Sequence, residues 1–495
     1  MSAQSSELDG DGFQDPGPLF GLSGSYIVTI TSSVMLHAAI LFLLASVVVP
    51  VQIEEEIFLE LSNSLQEEPV VPDPSVNVIV QPNKLVEAEM EDAISSVEVL
   101  ENSAVPSPTL ADLTPDDIAA AITLPNAESI VSSLPGHFGG RSERGKLASL
   151  RIYGGTADSE RAVHSGLRWL ASIQQEDGSW DFTRIGDARN PGSLVNGETG
   201  ATSMALLCFL GAGHTHGSAT KYSDVVRRGL HYLVSSAKVI AGEADMRGDV
   251  SGNGGMYIQG IATIALCEAH AMSRKRDQDK NLKRVAQAAI RFIESSQAKG
   301  GGWRYRPRDA GDTSVVGWQV MALKSGQAGR LRVQPETFYS AQRFLNRVQT
   351  QSGGMYGYTG PQKNRTGTTA IGLLCRMYMG WRRDREGLAD GVAFIAKRGP
   401  SRNDTYYNYY GSQVLHHWGG DLWKEWNAEL RPRLVESQVK EGPSAGSWRP
   451  VCKHSGSGGR LYETALSIMT LEVYYRHLPL YRKSAVTSAD PAIGE

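Results

Sequence analysis

A unit of two helices recurs along the last two-thirds of this chain, and this repetition constrains the fold more than any other feature. From about residue 158 to residue 480 the period is roughly 50–60 residues. Each unit has an amphipathic segment, a turn and a more apolar segment. The six pairs of segments are 166–182 with 199–213, 225–238 with 255–272, 288–305 with 312–323, 340–358 with 367–380, 390–399 with 406–420, and 428–448 with 462–478.

The two segments of a unit have different patterns. The first carries apolar residues at helical spacing between charges, as at Val225, Leu230 and Leu233, and this indicates a helix with one buried face. The second is apolar nearly all round and contains small residues, so it predicts a helix buried on both sides. Six such pairs can close into a double-walled ring, which needs no capping repeats. The predicted fold is all-α, an α6–α6 toroid over residues 158–480.

Three of the turns contain Gln, Gly and Trp in that order. They are Gln174, Gly178 and Trp180; Gln297, Gly301 and Trp303; and Gln438, Gly446 and Trp448. These turns resemble the QW repeats of squalene–hopene cyclases and protein prenyltransferases, and the resemblance extends over all six helix pairs. It implies an α/α toroid with a central cavity. It does not by itself imply an activity, because one fold hosts many functions.

The chemistry of those families depends on residues that this chain has only in part. Class II terpene cyclases protonate an alkene with the central acid of a D-x-D-D-T motif, which the stretch DAGDT resembles. Asp309 and Asp312 match the outer acids, but Gly311 stands in the place of the proton donor. Asp312 is therefore the first alternative acid, and it also precedes a helix predicted to begin near Thr313, which its carboxylate would cap. A prenyltransferase would need a zinc site, but no D-x-C occurs, so no metal or cofactor is expected.

Aromatic residues and histidines are concentrated where turns meet helices in the third to fifth units. In a toroid such junctions surround one mouth of the cavity, where they predict a pocket for an apolar or glycan-like ligand. The alternative is that they only pack the turns. The residues assigned to ligand binding are Trp303, Tyr305, Trp318, Tyr407, Tyr410, His416 and His417, and they are accompanied by Tyr356, Tyr358, Tyr406, Tyr409 and Trp418.

The segment before the repeats predicts a membrane anchor and a tether. Residues 1–25 are polar and are predicted to be disordered, whereas residues 26–51 form an uncharged stretch long enough to span about 30 Å of hydrocarbon as a single helix. Residues 52–157 are acidic, with Val and Pro clusters, and indicate a flexible linker with short helices. Within it, residues 136–146 are predicted to be a flexible basic hinge. Residues 481–495 are predicted to be a disordered tail.

Two polar residues lie on one face of the predicted membrane helix. Ser33 and His37 are four residues apart, and an ionisable side chain inside a membrane suggests a function. The spelling SVMLHAAI resembles the anchor of TonB-type energy transducers, which implies a motor complex or another membrane protein as partner for this face. The alternative is a tolerated polar pair that contacts headgroups or a dimer partner.

The sequence therefore predicts a single-pass protein of a bacterial inner membrane, with its toroid in the periplasm. The leading hypothesis is a non-catalytic toroid that binds a ligand, such as an isoprenoid or lipid, or a protein partner. The alternatives are a lipid-modifying enzyme of the cyclase-like class and a TonB-like coupler to a proton-driven motor. The net charge of −4 and the absence of a lysine-rich patch indicate that nucleic acid is not a partner.

Overall fold

The computed structural model describes residues 126–134, 136–250, 252–273, 279–452 and 454–481. The predicted membrane helix over residues 26–51, with Ser33 and His37, lies outside these residues. The same holds for most of the linker and for the tail from residue 482. Within the described ranges, no helix is long and apolar enough to cross a membrane.

Two helices precede the repeats, and one short helix follows them. The first two are α1 (Ala127–Ser133) and α2 (Glu143–Tyr153), with a 3-10 turn at Gly139–Arg141 between them. The repeats then follow as α3 (Ala157–Ser172), α4 (Glu198–Gly211), α5 (Ser223–Ser235), α6 (Gly255–Met272), α7 (Lys280–Ser295), α8 (Thr313–Ala328), α9 (Pro335–Val348), α10 (Thr366–Tyr378), α11 (Glu386–Arg398), α12 (Thr405–Trp418), α13 (Gly420–Ser437) and α14 (Ser455–Leu471), and the chain continues into α15 (Val473–Arg476).

Two small hairpins and two further 3-10 turns connect some of these helices. Antiparallel strands β1 (Lys238–Ile240) and β2 (Glu243–Asp245) join α5 to α6, and β3 (Gln349–Thr350) and β4 (Met355–Tyr356) join α9 to α10. The 3-10 turns are Gly252–Gly254 and Gln351–Gly353.

The twelve helices from α3 to α14 form two concentric layers, and the inner layer closes on itself. The inner helices α4, α6, α8, α10, α12 and α14 pack on one another in chain order, and α14 then packs against α4. Each outer helix packs on the inner helix that precedes it around the ring, and α3 accordingly contacts α14. The predicted α6–α6 toroid is thus present, built from the six predicted helix pairs.

The three Gln–Gly–Trp turns share one geometry. In the third unit, the Gln297 amide donates to the carbonyl oxygens of Gly301 and Thr337, each at 2.9 Å. The indole N–H of the buried Trp303 donates back to the Ile293 carbonyl at 2.8 Å. One glutamine therefore joins its own turn to the start of the next outer helix, while the tryptophan fixes the turn to the helix before it.

The last of these turns closes the ring. Gln438 donates to the carbonyl of Gly446 at 2.8 Å and to that of Ala162 at 2.7 Å. Since Ala162 belongs to the first outer helix and Gln438 follows the last, this amide connects the two ends of the repeat array.

The structure contradicts the predicted hinge at residues 136–146. Arg141, Gly145 and Lys146 are buried, and α2 begins at Glu143 with the Ser142 hydroxyl as its N-cap. Lys146 forms an ion pair of 2.7 Å with the buried Glu160 of α3. The glycines and charges that suggested flexibility instead fit this segment, hereafter the arm (residues 136–153), closely against the ring.

Replacing Gln438 with Ala should destabilise the toroid, because two buried carbonyls would each lose a hydrogen bond from its amide. We expect the free energy of unfolding to fall by about 2–3 kcal/mol in urea titrations of the full chain. The exposed Gln362→Ala is the matched control and should change it by less than about 0.5 kcal/mol. Equal stability of the two variants would contradict a closure role for this amide.

Candidate functional site

The amino-terminal ends of the inner helices meet at one mouth of the ring, and Asp312 lies there. As predicted, Asp312 caps α8, because its Oδ1 accepts from the Val315 N–H at 2.9 Å. The other oxygen, Oδ2, has no hydrogen-bond partner of normal geometry among the described residues. The nearest cationic atom is Nε of Arg304, at 3.9 Å, which is likewise buried without such a partner.

The environment of Asp312 favours its protonated form. Burial raises the pKa of this carboxyl to about 6, although the Val315 N–H, the Tyr358 hydroxyl and Arg304 act in the opposite direction. The carboxyl is completely inaccessible to solvent. An acid of this kind can hold a proton close to neutral pH, as general acids do.

Half-buried tyrosines surround this acid. The hydroxyls of Tyr305 and Tyr358 are hydrogen bonded to each other at 2.7 Å, with the Arg304 guanidinium against both rings. On the other side, the Ser314 hydroxyl lies 3.1 Å from that of Tyr406. Tyr257 also interacts with the Ser314 hydroxyl and with Asp312. We call Arg304, Asp312 and the tyrosines 257, 305, 358 and 406 the Asp312 cluster. It combines apolar ring surface with a small number of polar atoms, as ligand pockets do.

The position that would hold a cyclase's central acid has no room for a side chain. A Cβ atom added to Gly311 would lie 2.6 Å from the Cα of Gly302 and 2.8 Å from the Phe344 ring. The backbone contact cannot be relieved by a rotamer change. Glycine at this position is therefore required by packing, and the buried acid next to it is Asp312, the cap of α8. Asp309 lies apart, half-buried, and accepts from the backbone N–H of Arg306 at 3.1 Å.

Four aromatic side chains fill the centre of the ring below this mouth. Trp318 of α8 stacks on Tyr409 of α12, with ring centroids 5.8 Å apart and planes inclined by 15°. Tyr406 and Tyr410 pack edge-on to each other at 5.1 Å, and the Trp318 indole donates to the Tyr406 hydroxyl at 3.0 Å. This aromatic layer connects two inner helices that are not neighbours in the ring.

Three of the residues assigned to ligand binding have packing contacts instead of a place at the Asp312 cluster. Trp303 is buried in its turn, as described above. Tyr407 points toward α13, packs on Trp426 and donates to the Gly399 carbonyl at 3.2 Å. His416 packs edge-on against Tyr153 and Trp423. Trp318 and Tyr410 belong to the aromatic layer, and Tyr305 to the Asp312 cluster.

His417 lies at the opposite mouth, where the carboxyl-terminal ends of the inner helices meet the arm. A cavity of about 60 Å³ is present there. Its polar lining includes His137, Arg141, Glu268, Lys324, Tyr378, Tyr409, His417, Arg476 and His477. Burial, together with the nearby His137, lowers the pKa of His417 to about 3, so this imidazole is neutral.

A buried network of ion pairs forms one wall of this cavity. Glu268 of α6 lies between two guanidiniums, with its Oε2 2.7 Å from Arg141 and 3.2 Å from Arg476. Burial raises the pKa of Glu268, but the two arginines outweigh burial and hold it below its usual value. Glu472, 3.3 Å from Arg476, behaves differently, because burial raises its pKa to about 8. One carboxyl of this network is therefore charged, and the other holds a proton at neutral pH.

Most of this second site could not be predicted from the sequence. Its charged residues are far apart in the chain, since Arg141 and Glu268 are separated by 127 positions. A usable signal was nonetheless present, because Glu268 interrupts an otherwise apolar inner helix and Glu472 and Arg476 stand four residues apart on one helical face.

The raised pKa of Asp312 makes stability depend on pH. Below about pH 4 this carboxyl is protonated in both the folded and the unfolded chain, and its contribution to stability is then lost as the pH rises to about 6. The shift in the pKa of Asp312 corresponds to a change of about 3 kcal/mol in the free energy of unfolding. Asp312→Asn retains the cap but cannot ionise, so it should lack this loss of stability between pH 4 and pH 7. The measurement is the difference in the free energy of unfolding between variant and wild type, from urea titrations over that pH range. Asp309→Asn should follow the wild type; an unchanged slope in Asp312→Asn would contradict the assignment.

No family model matches the sequence, and no curated protein matches it. Among solved structures, the chain is similar to the type II terpene cyclase MstE from Scytonema, with a TM-score of 0.43, 11% identity, and coverage of 64% of this chain and 98% of that one. An inactive variant of the α-1,6-mannanase GH76A of Salegentibacter sp. is similar with a TM-score of 0.45, 10% identity, and coverage of 64% and 99%. Cellobiose 2-epimerase from Bacillus thermoamylovorans is similar with a TM-score of 0.45 and 10% identity. The match covers 64% of this chain and 98% of that one.

Proposed function

We propose that this chain is a membrane-tethered toroid that binds a ligand with an apolar body and a hydroxyl head at the Asp312 cluster. The observation that carries the proposal is the pair of buried atoms Asp312 Oδ2 and Arg304 Nε, held 3.9 Å apart without partners of normal geometry among the described residues. The carboxylate can only accept, and the guanidinium can only donate. A hydroxyl does both, so a single ligand hydroxyl would satisfy each of them.

The surroundings of these atoms support an apolar body for the ligand. Tyr257, Tyr305, Tyr358 and Tyr406 are half-buried, and their rings offer large, rigid contact surfaces. The two polar atoms without partners, Asp312 Oδ2 and Arg304 Nε, lie together, which favours a ligand with one polar end. An isoprenoid alcohol or another hydroxylated lipid has this chemistry.

Binding is tested by incubating the full chain, in detergent, with a bacterial lipid extract and identifying retained molecules by mass spectrometry. We expect the wild type to retain a hydroxylated lipid. Asp312→Ser, which keeps a capping oxygen but removes the carboxylate, should retain at least about tenfold less, since a charged hydrogen bond contributes about 1.5–3 kcal/mol.

Asp309→Ser is the matched control, because this acid lies near Asp312 in sequence but apart from the cluster. It should retain as much lipid as the wild type. Equal retention by all three proteins would refute the proposal, and so would a wild type that retains no hydroxylated lipid.

A second candidate is an enzyme that uses Asp312 as its acid on the same ligand. The pKa of about 6 favours it, because a fraction of the carboxyls still holds a proton at neutral pH and can donate it. The same incubation separates the two functions. An enzyme would return a chemically altered lipid that Asp312→Asn does not produce, whereas a binding protein would return the lipid unchanged.

Membrane attachment is a further part of the proposal, supported by the uncharged stretch at residues 26–51. In this proposal, the toroid lies in a bacterial periplasm. The face that carries Ser33 and His37 contacts a membrane protein such as a motor complex. A chain lacking residues 26–51 should leave the membrane fraction after cell lysis. His37→Ala should stay there but lose cross-links to its partner. Membrane retention of the deleted chain would contradict the anchor.

A further inference from the structure

The cavity at the carboxyl-terminal mouth has more positive than negative charge in its lining. Arg141, Lys324 and Arg476 face a single carboxylate, Glu268. With the histidines counted as neutral, three cations and one anion leave a formal excess of two positive charges. The volume of about 60 Å³ holds about four to six water-sized groups, which is the size of a small polar ion.

Several polar atoms of this lining have no hydrogen-bond partner among the described residues. They are Nε of Arg476, Nδ1 of His417 and Nε2 of His477. Arg476 and His417 are only 2% and 1% exposed, so bulk water does not satisfy these atoms. A guanidinium nitrogen can only donate, so the missing partner of Arg476 Nε must be an acceptor. Each imidazole nitrogen can donate to the same acceptor in one tautomer.

A purely structural role accounts for part of this charge. Arg141 and Arg476 donate to the carbonyls of Leu210 and Leu207, near the carboxyl-terminal end of α4, at 3.4 and 2.5 Å. Glu268 occupies further N–H groups of both arginines. These contacts leave Arg476 Nε without a hydrogen-bond partner among the described residues. The charge of Lys324 meets the neutral amide of Gln327, at 2.9 Å, and the Phe338 ring, whose centroid is 5.7 Å from Nζ, but no carboxylate within ion-pair distance among those residues.

We propose that this cavity binds a small oxyanion of the phosphate class, either free or as the head group of a lipid. Its oxygens would accept from Arg476, His417 and His477, and Lys324 would supply the balancing charge. Because His137 and Arg141 of the arm form part of the lining, an anion there would also hold the arm, and so the end of the tether, against the ring. This site is independent of the Asp312 cluster.

Binding is tested by isothermal titration calorimetry, in which inorganic phosphate is added to the full chain reconstituted in neutral phosphatidylcholine vesicles. We expect saturable binding by the wild type and an increase in its Tm. Lys324→Met, which keeps the length of the side chain without its charge, should weaken binding at least tenfold. His477→Phe removes one donor and should weaken it as well, so the test does not depend on one variant.

The exposed Lys397→Met of α11 is the matched control and should bind phosphate as the wild type does. If inorganic phosphate fails to bind, vesicles containing phosphatidate are titrated instead, and binding only there would identify a lipid head group as the source of the anion. A wild type that binds neither would show that the cavity holds water only. That result, or equal affinity in Lys324→Met and His477→Phe, would overturn the proposal.

Discussion

The rest of this structure depends on the close approach of the inner helices, because the ring closes only if each of them packs on both neighbours. Small residues make this possible. A Cβ added to Gly260 of α6 would lie 2.9 Å from Trp318 of α8, and one added to Gly317 would lie 2.5 Å from Ile371 of α10. An ordinary side chain at either contact would push two inner helices apart, and the displacement would pass around the ring. The same closeness brings Trp318 onto Tyr409 and fills the centre of the ring with aromatic rings.

Much of this fold could be predicted from the sequence, because the pairing of an outer with an inner helix follows a local pattern that recurs six times. The one-sided pattern of the outer helices, the apolar inner helices and the repeated Gln–Gly–Trp turns each specify a contact that recurs. Asp312 was also predicted as an N-cap, since a cap depends only on the residues that follow it. These features need no knowledge of the residues elsewhere in the chain.

The sites were less predictable because they depend on which way a side chain points and on distant partners. His416 and His417 are adjacent, yet successive residues of a helix project about 100° apart, so one packs against Trp423 and the other lines the cavity. Arg141 stands among glycines and charges that are typical of a hinge. Only the ring positions Glu268 to pair with it, and Arg141 is buried in this contact.

The two mouths of the ring also differ electrostatically, because parallel inner helices place their positive ends at one mouth and their negative ends at the other. Asp312 and Asp404 cap α8 and α12 at the first, and Arg141 and Arg476 donate to carbonyls at the second. The pKa of Asp312 rises to about 6 from 3.8 although the helix end favours its charge, so burial is the stronger effect there. Glu472, between α14 and α15, is buried as well. Burial raises its pKa further, to about 8 from 4.5, even beside the guanidinium of Arg476.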